Sequence, residues 1–189
     1  MSNKVTFGLS NVHYALATLS AEGVFSWGVS KALAGAQELS ADIIGGKTEV
    51  YGDDQVIGTL ISNSGKTISL KMSEISDDFK KDIFGWEVDS TGNLVEVTNA
   101  QVVTFALGYE VQGDVKARRV WYYLCTATPS GDSTKSKTDS AEPNSSTLSV
   151  TARPIEVGDR LVLRRIANKE DTNYDAFLSA TPVLPVFGV

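Results

Sequence analysis

The chain has one cysteine, Cys125, and one histidine, His13, in 189 residues. A lone thiol cannot close an intrachain bridge, so no disulfide framework is expected. A Ser/His/Asp or Cys/His arrangement would have to be built on His13, which Val12 and Tyr14 flank without a partner motif. Cys125, between Leu124 and Thr126 in an apolar stretch, has the setting of a buried, inert thiol. No segment approaches the roughly 20 apolar residues of a membrane-spanning helix, so no membrane insertion is expected. The opening MSNKVTFGLSNVHYA lacks an apolar run ending in a small-residue cleavage site, which disfavours classical secretion. Positive charge is scarce as well: 17 Lys and Arg against 23 Asp and Glu leave a formal net charge of −6. Phosphate binding needs clustered cations to displace counterions, so any contact with nucleic acid is expected to be loose.

What is present is alternation. Val103, Phe105, Leu107, Tyr109 and Val111 share one face of the stretch from Val102 to Val111, and Val120, Tyr122 and Leu124 share one face of Arg118 to Ala127. Only a pleated strand buries such a period. A reversal at Gly113 to Lys116 sets Glu110 opposite Arg119, Gly108 opposite Trp121 and Ala106 opposite Tyr123, charge against charge and small against large. A second hairpin is expected from Gln55 to Ser62 and Thr67 to Glu74 around Asn63, Ser64 and Gly65, with Ile68, Leu70 and Met72 on the buried face of its second arm. A turn is expected at Gly45 and Gly46, and another at Trp27, Gly28 and Val29.

Ser76, Asp77 and Asp78 offer an N-cap and an acidic first turn. Phe79, Ile83 and Phe84 follow at helical spacing until Gly85, which predicts one short helix. A small hairpin with its turn at Ser90 to Asn93 comes next. Residues 128–146, TPSGDSTKSKTDSAEPNSS, hold almost no apolar side chain and cannot offset the entropy of ordering by burial. Such an excursion is either a surface loop or a segment that orders only against another subunit. Alternation resumes at Leu148, Val150 and Ala152, and Leu161 to Ile166 predicts a last long strand before a Pro-containing tail. The length fits one domain of mainly β, α+β class, a two-sheet sandwich or barrel-like fold with one flanking helix.

Chemistry-bearing motifs fail on inspection. Ser64-Gly65-Lys66-Thr67 lacks the first glycine of a phosphate-binding loop, because position 60 is Leu60. Asp53-Asp54, Asp77-Asp78 and Asp171 with Asp175 have no calcium-loop spacing. The expectation is a protein that is not an enzyme and has no cofactor and no metal.

Taken in order, the opening KVTFGLSNVHYA, the Tyr51-Gly52-Asp53-Asp54 patch, DDFKKDIFGWEVDSTGNLVE, FALGYEVQGDVKARRVWYYLCTA and SKTDSAEPNSSTLSVTARP closely resemble the major tail protein family of long-tailed bacteriophages of Gram-positive bacteria. The likeness fades beyond Asp171. It implies a tail tube subunit: sixfold rings, stacked, whose strands join into an inner barrel through which phage DNA passes. It further implies tape-measure, tail terminator and baseplate or tail-tip partners, and a place in the virion after assembly in the host cytoplasm. By the same resemblance, Asp42, Tyr51, Asp53 and Asp54 are candidate contacts between subunits or rings. So are Ser130, Asp132, Lys135, Lys137, Asp139 and Glu142 of the polar excursion. The terminal pieces are candidate arms. The lumen is expected to meet the polar faces bearing Thr67, Ser69, Lys71 and Ser73 or Gln55, Thr59 and Ser62. The alternative is a non-enzymatic β-sandwich module for binding or adhesion on a virion or cell surface.

Overall fold

A computed structural model describes residues 8–52, 55–112, 116–129 and 145–188. The candidate contacts Asp53, Asp54, Ser130, Asp132, Lys135, Lys137, Asp139 and Glu142 lie outside the described residues. In chain order the elements are β1 (Leu9–Leu19), β2 (Phe25–Trp27), β3 (Lys31–Ala32), β4 (Ala36–Ile44), β5 (Lys47–Gly52), β6 (Gln55–Ile61) and β7 (Gly65–Met72). Then come α1 (Asp77–Phe84), β8 (Glu87–Val88), β9 (Leu94–Val95), β10 (Phe105–Val111) and β11 (Arg119–Thr128). The last are β12 (Ser146–Arg153), β13 (Ile155–Val157), β14 (Arg160–Val162) and β15 (Arg164–Ala167). The protein is mainly β and its pairings are antiparallel.

The principal sheet runs β2-β1-β10-β11-β12-β7-β4, with β15 beside β11 and β3 beside β1. Its inward side chains, among them Tyr14, Leu107, Tyr122, Val150 and Leu70, form one cluster with Phe79, Ile83 and Phe84 of α1. One nine-stranded sheet and a helix thus enclose the core, in place of the two packed sheets expected from the alternation. The helix follows its local signals: Ser76 Oγ accepts from Phe79 N, and Gly85 closes it in the left-handed region at φ 69°.

The β10–β11 hairpin has the expected Glu110–Arg119 and Gly108–Trp121 pairs, but its register slips between Phe105 and Leu107. Tyr123 and Leu124 together stand against Ala106, so the Ala106–Tyr123 pair does not form. A bulge of this kind exchanges the faces of the strand beyond it. Cys125 and Ala127, rather than Leu124, therefore continue the core face of Val120 and Tyr122.

Four other expectations are corrected. β6 pairs with β5, and β7 pairs with β4 and β12, so Gln55 to Glu74 is not a hairpin. Instead β4 and β5 lead out and β6 and β7 return as one long ribbon. Gly45 and Gly46 are a joint in it, spanned by Ser62 N to Gly46 O (3.0 Å) and Ser64 N to Ile44 O (2.7 Å). The stretch Leu161 to Ile166 is divided: β14 pairs with β13 around Gly158 (φ 65°), whereas β15 crosses to β11. Trp27 lies in a strand, and the reversal before it is at Ser20 to Val24. His13 belongs to β1, inside the principal sheet, between Gly108 and Ala32.

Candidate assembly surfaces

Four strands lie side by side, and their register stacks the polar positions. Thr126, Thr151, Thr67 and Asp42 form one row across β11, β12, β7 and β4. Thr128, Ser149, Ser69 and Ser40 form the next, and Thr147, Lys71 and Glu38 a third. The opposite side of the same strands carries Leu148, Leu70 and Leu39, then Val150, Ile68 and Ala41, all against the core. Burial of that side fixes the pleat and so commits the hydroxyls to the outside. All but Thr151 in these rows are exposed. Four strands at about 4.8 Å spacing give a face about 14 Å across. Its three rows hold one cation, Lys71, against the two carboxylates Asp42 and Glu38, with exposed Arg153 following Thr151 on the same side of β12, and hydroxyls that rotate to donate or accept.

The structure thus brings Thr67, Ser69 and Lys71 together, and it places Asp42 beside Thr67 rather than on a separate contact region. Ser73 lies just past β7, where its hydroxyl donates to Gly35 O at 3.3 Å. Gln55 and Thr59 are carried away on the β5–β6 ribbon, and Ser62 sits at the joint, its Oγ accepting from Gly46 N at 3.0 Å. These three do not share the hydroxyl face.

Beside that face, the outer edge of β4 has no strand partner among the described residues. β5 and β6 pair only with each other and extend the ribbon about 20 Å past the joint, given six residues at ~3.3 Å each. Ile43 at its base and Tyr51 near its end are 63% and 66% exposed, and Tyr51 donates to Glu49 Oε2 at 2.8 Å. Unpaired backbone with exposed apolar side chains is a template for another chain.

Around β1, β10, β11 and β15 this same non-core side of the sheet has its own cover, which sequence reasoning missed. Residues 168–183 form a strap without strand pairing, whose Tyr174, Phe177 and Leu178 pack on Ala15, Ala106, Trp121 and Ala167. Arg119 anchors it. The guanidinium donates to Glu110 Oε2 at 2.9 Å through Nε and to the carbonyls of Tyr174 and Asp175 at 2.6 and 3.1 Å through Nη1, and it lies 4.0 Å from the Tyr174 ring centre. Trp121 Nε1 donates to Phe177 O at 2.6 Å, and Ser30 Oγ to Leu178 O at 2.5 Å. Tyr123 Oη donates to Val183 O at 2.9 Å; burial pushes this phenol up to about 12, so it remains a donor. Two signals were legible: Trp121 and Tyr123 are too large for a wetted face, and Tyr174, Phe177 and Leu178 have i, i+3, i+4 spacing.

The remaining reactive groups are quiet. Burial pushes the Cys125 thiol far above its ordinary range. Burial, with the Arg119 charge as a smaller cause, holds His13 below 6.5. A groove of about 330 Å³ is lined by Gly8, Leu9, Gln37, Glu38, Leu39, Tyr109 and Val111 and pairs no acid with a base. No three His, Cys, Asp or Glu side chains converge on a metal position among the described residues. No helix among them is long and apolar enough to cross a membrane. No family model matches the chain, and no curated protein matches it.

Proposed function

We propose that this protein is a structural subunit of a bacteriophage tail tube, forming sixfold rings that stack around a lumen crossed by the genome. The observation that carries this is the hydroxyl face beside an unpaired edge. A wall that passes double-stranded DNA must not hold it, and retention by phosphate contacts requires several clustered cations. The rows from Thr126 to Asp42 and from Thr128 to Ser40 hold none, and Lys71 and Arg153, at opposite ends of the face, are matched by Glu38 and Asp42 rather than clustered. Edge-to-edge pairing along β4 would close such faces into a barrel and remove the aggregation-prone edge. Head-to-tail contacts of this kind form rings when the rotation closes, and stacking is then open-ended. The resemblance through residue 154 supports the same assignment. On this proposal the partners are further copies, then tape-measure, terminator and baseplate or tip proteins, and the protein resides in the virion after assembly in the host cytoplasm.

Sedimentation and negative-stain microscopy of concentrated protein test the proposal. Rings or tubes are expected; a particle of one chain at every concentration would reject it and favour a discrete binding module. The lumen assignment has its own test. Ser69→Lys with Ser149→Lys should leave assembly intact but make the tubes retain short duplex DNA in a salt-dependent manner. Tubes that bind DNA no better than the parent would put this face elsewhere.

A further inference from the structure

The strap and the face beneath it relate as guest and host. The host is formed by the small residues Ala15, Ala106, Gly108 and Ala167 around the indole of Trp121, with Trp27 packed against the same cluster. The guest has no strand pairing, and its carbonyls at Tyr174, Asp175, Phe177, Leu178 and Val183 are received by side chains of the host: Arg119, Trp121, Ser30 and Tyr123. These contacts read main-chain carbonyls and three apolar knobs. None depends on which copy of the chain supplies the strap. The covalent link is slight: β15 is four residues long, and the turn after it is held by exposed bonds, Asn168 N to Asp171 Oδ2 at 2.8 Å and Lys169 N to Lys116 O at 2.9 Å. Past the strap, the tail stays uncovered in one copy. Val186 is 95% exposed, and its neighbour Phe187 stacks under Arg160, next in the chain to Leu161, itself 75% exposed.

We propose that the strap is exchanged between copies, so that residues 168–183 of one chain occupy the host face of a neighbour in the assembled state. Exchange remakes every guest contact and so costs little beyond bringing two copies together. Where copies already lie side by side, the second site is present at high effective concentration. The exposed apolar tail then lies across the neighbour instead of in water. The exchange rests on the tube proposal only for the premise that copies adjoin.

Ser30 donates to Leu178 O and Ser179 is the next residue of the strap, and buried Cys125 leaves their cysteine variants as the only reactive thiols. Ser30→Cys and Ser179→Cys chains would be prepared separately, mixed, concentrated and treated with a short bismaleimide, then run on a denaturing gel. A covalent pair joining one chain of each type, absent from either variant alone, is expected. In the double variant the bridged product should run as dimers and higher oligomers after assembly. A double variant bridged only within single chains would overturn the proposal, because the strap then stays with its own sheet. No bridge in any sample would overturn it too, since Ser30 must face a strap in either arrangement. Microscopy of the unmodified protein reports separately on tubes, so wild-type tubes with only intrachain bridges reject exchange alone.

Discussion

Gly108 shows how one side chain's absence lets the strap close on the sheet. A Cβ built there would lie 2.8 Å from Trp121 ring carbons and 2.9 Å from Leu178 Cδ2, between the indole and the strap. Gly108→Ala should therefore destabilise the fold by about 1–3 kcal/mol, the usual range for overpacking, and Gly108→Trp by more. Chemical denaturation reads this directly, and an unchanged midpoint would refute the packing. Arg119 is the complementary case. Its side chain and that of Glu110 are each 17% exposed, so the pair is partly desolvated and the planar fork serves Glu110 and two carbonyls at once. Arg119→Lys should cost about 2 kcal/mol and hasten proteolysis within 168–183; a protease-resistant variant would show that the fork is dispensable. His13 sets a pH dependence. Its folded pKa is below 6.5, so the unfolded chain binds the proton more readily. The His13 contribution is full above about pH 6.5 and is lost as pH falls through that value toward the folded pKa. His13→Gln should flatten the denaturation midpoint between pH 7.5 and 5.5, and equal slopes in both proteins would dismiss the effect.

At the scale of elements, alternation was legible, and partnership only within the short-turn hairpins β8–β9 and β10–β11. β7 buries Ile68, Leu70 and Met72 just as its period requires, yet its neighbours are β4 and β12. Asn63-Ser64-Gly65 looks like a turn, but Gly65 at φ 147° carries the returning strand past Ala152, whose carbonyl would lie 2.3 Å from a Cβ there. Gly65→Ala should thus cost about 3 kcal/mol from backbone strain and clash together, readable as a fall in thermal midpoint. A neutral result would mean the joint relaxes. The helix from Asp77 to Phe84 was fully legible because its cap, acidic turn, apolar spacing and stop are all local. The bulge at Tyr123 and Leu124 was not, since it answers a partner strand rather than its own sequence.

For the whole molecule the decisive features are an unpaired edge, a wetted hydroxyl face and a ribbon that leaves the body. Ile43→Lys changes a residue already 63% exposed, so monomer stability should move by no more than about 0.5 kcal/mol. A charged edge resists pairing, and sedimentation should show assembly weakened or shifted to higher concentration. Unaltered assembly would remove the β4 edge from the proposed contact.

The amino-acid sequence by itself determined the class and the faces. Period-two alternation selects strands and decides which side is wet, and one capped segment selects the helix, because these are choices between neighbours in the chain. Only the tertiary structure decided which strands adjoin beyond the β8–β9 and β10–β11 hairpins, that hydroxyls of four strands align into rows, and that the C-terminal strap closes over Trp121. Those outcomes come from matching apolar surfaces across long stretches of chain, where many pairings satisfy the same local pattern and burial of the shared core selects among them.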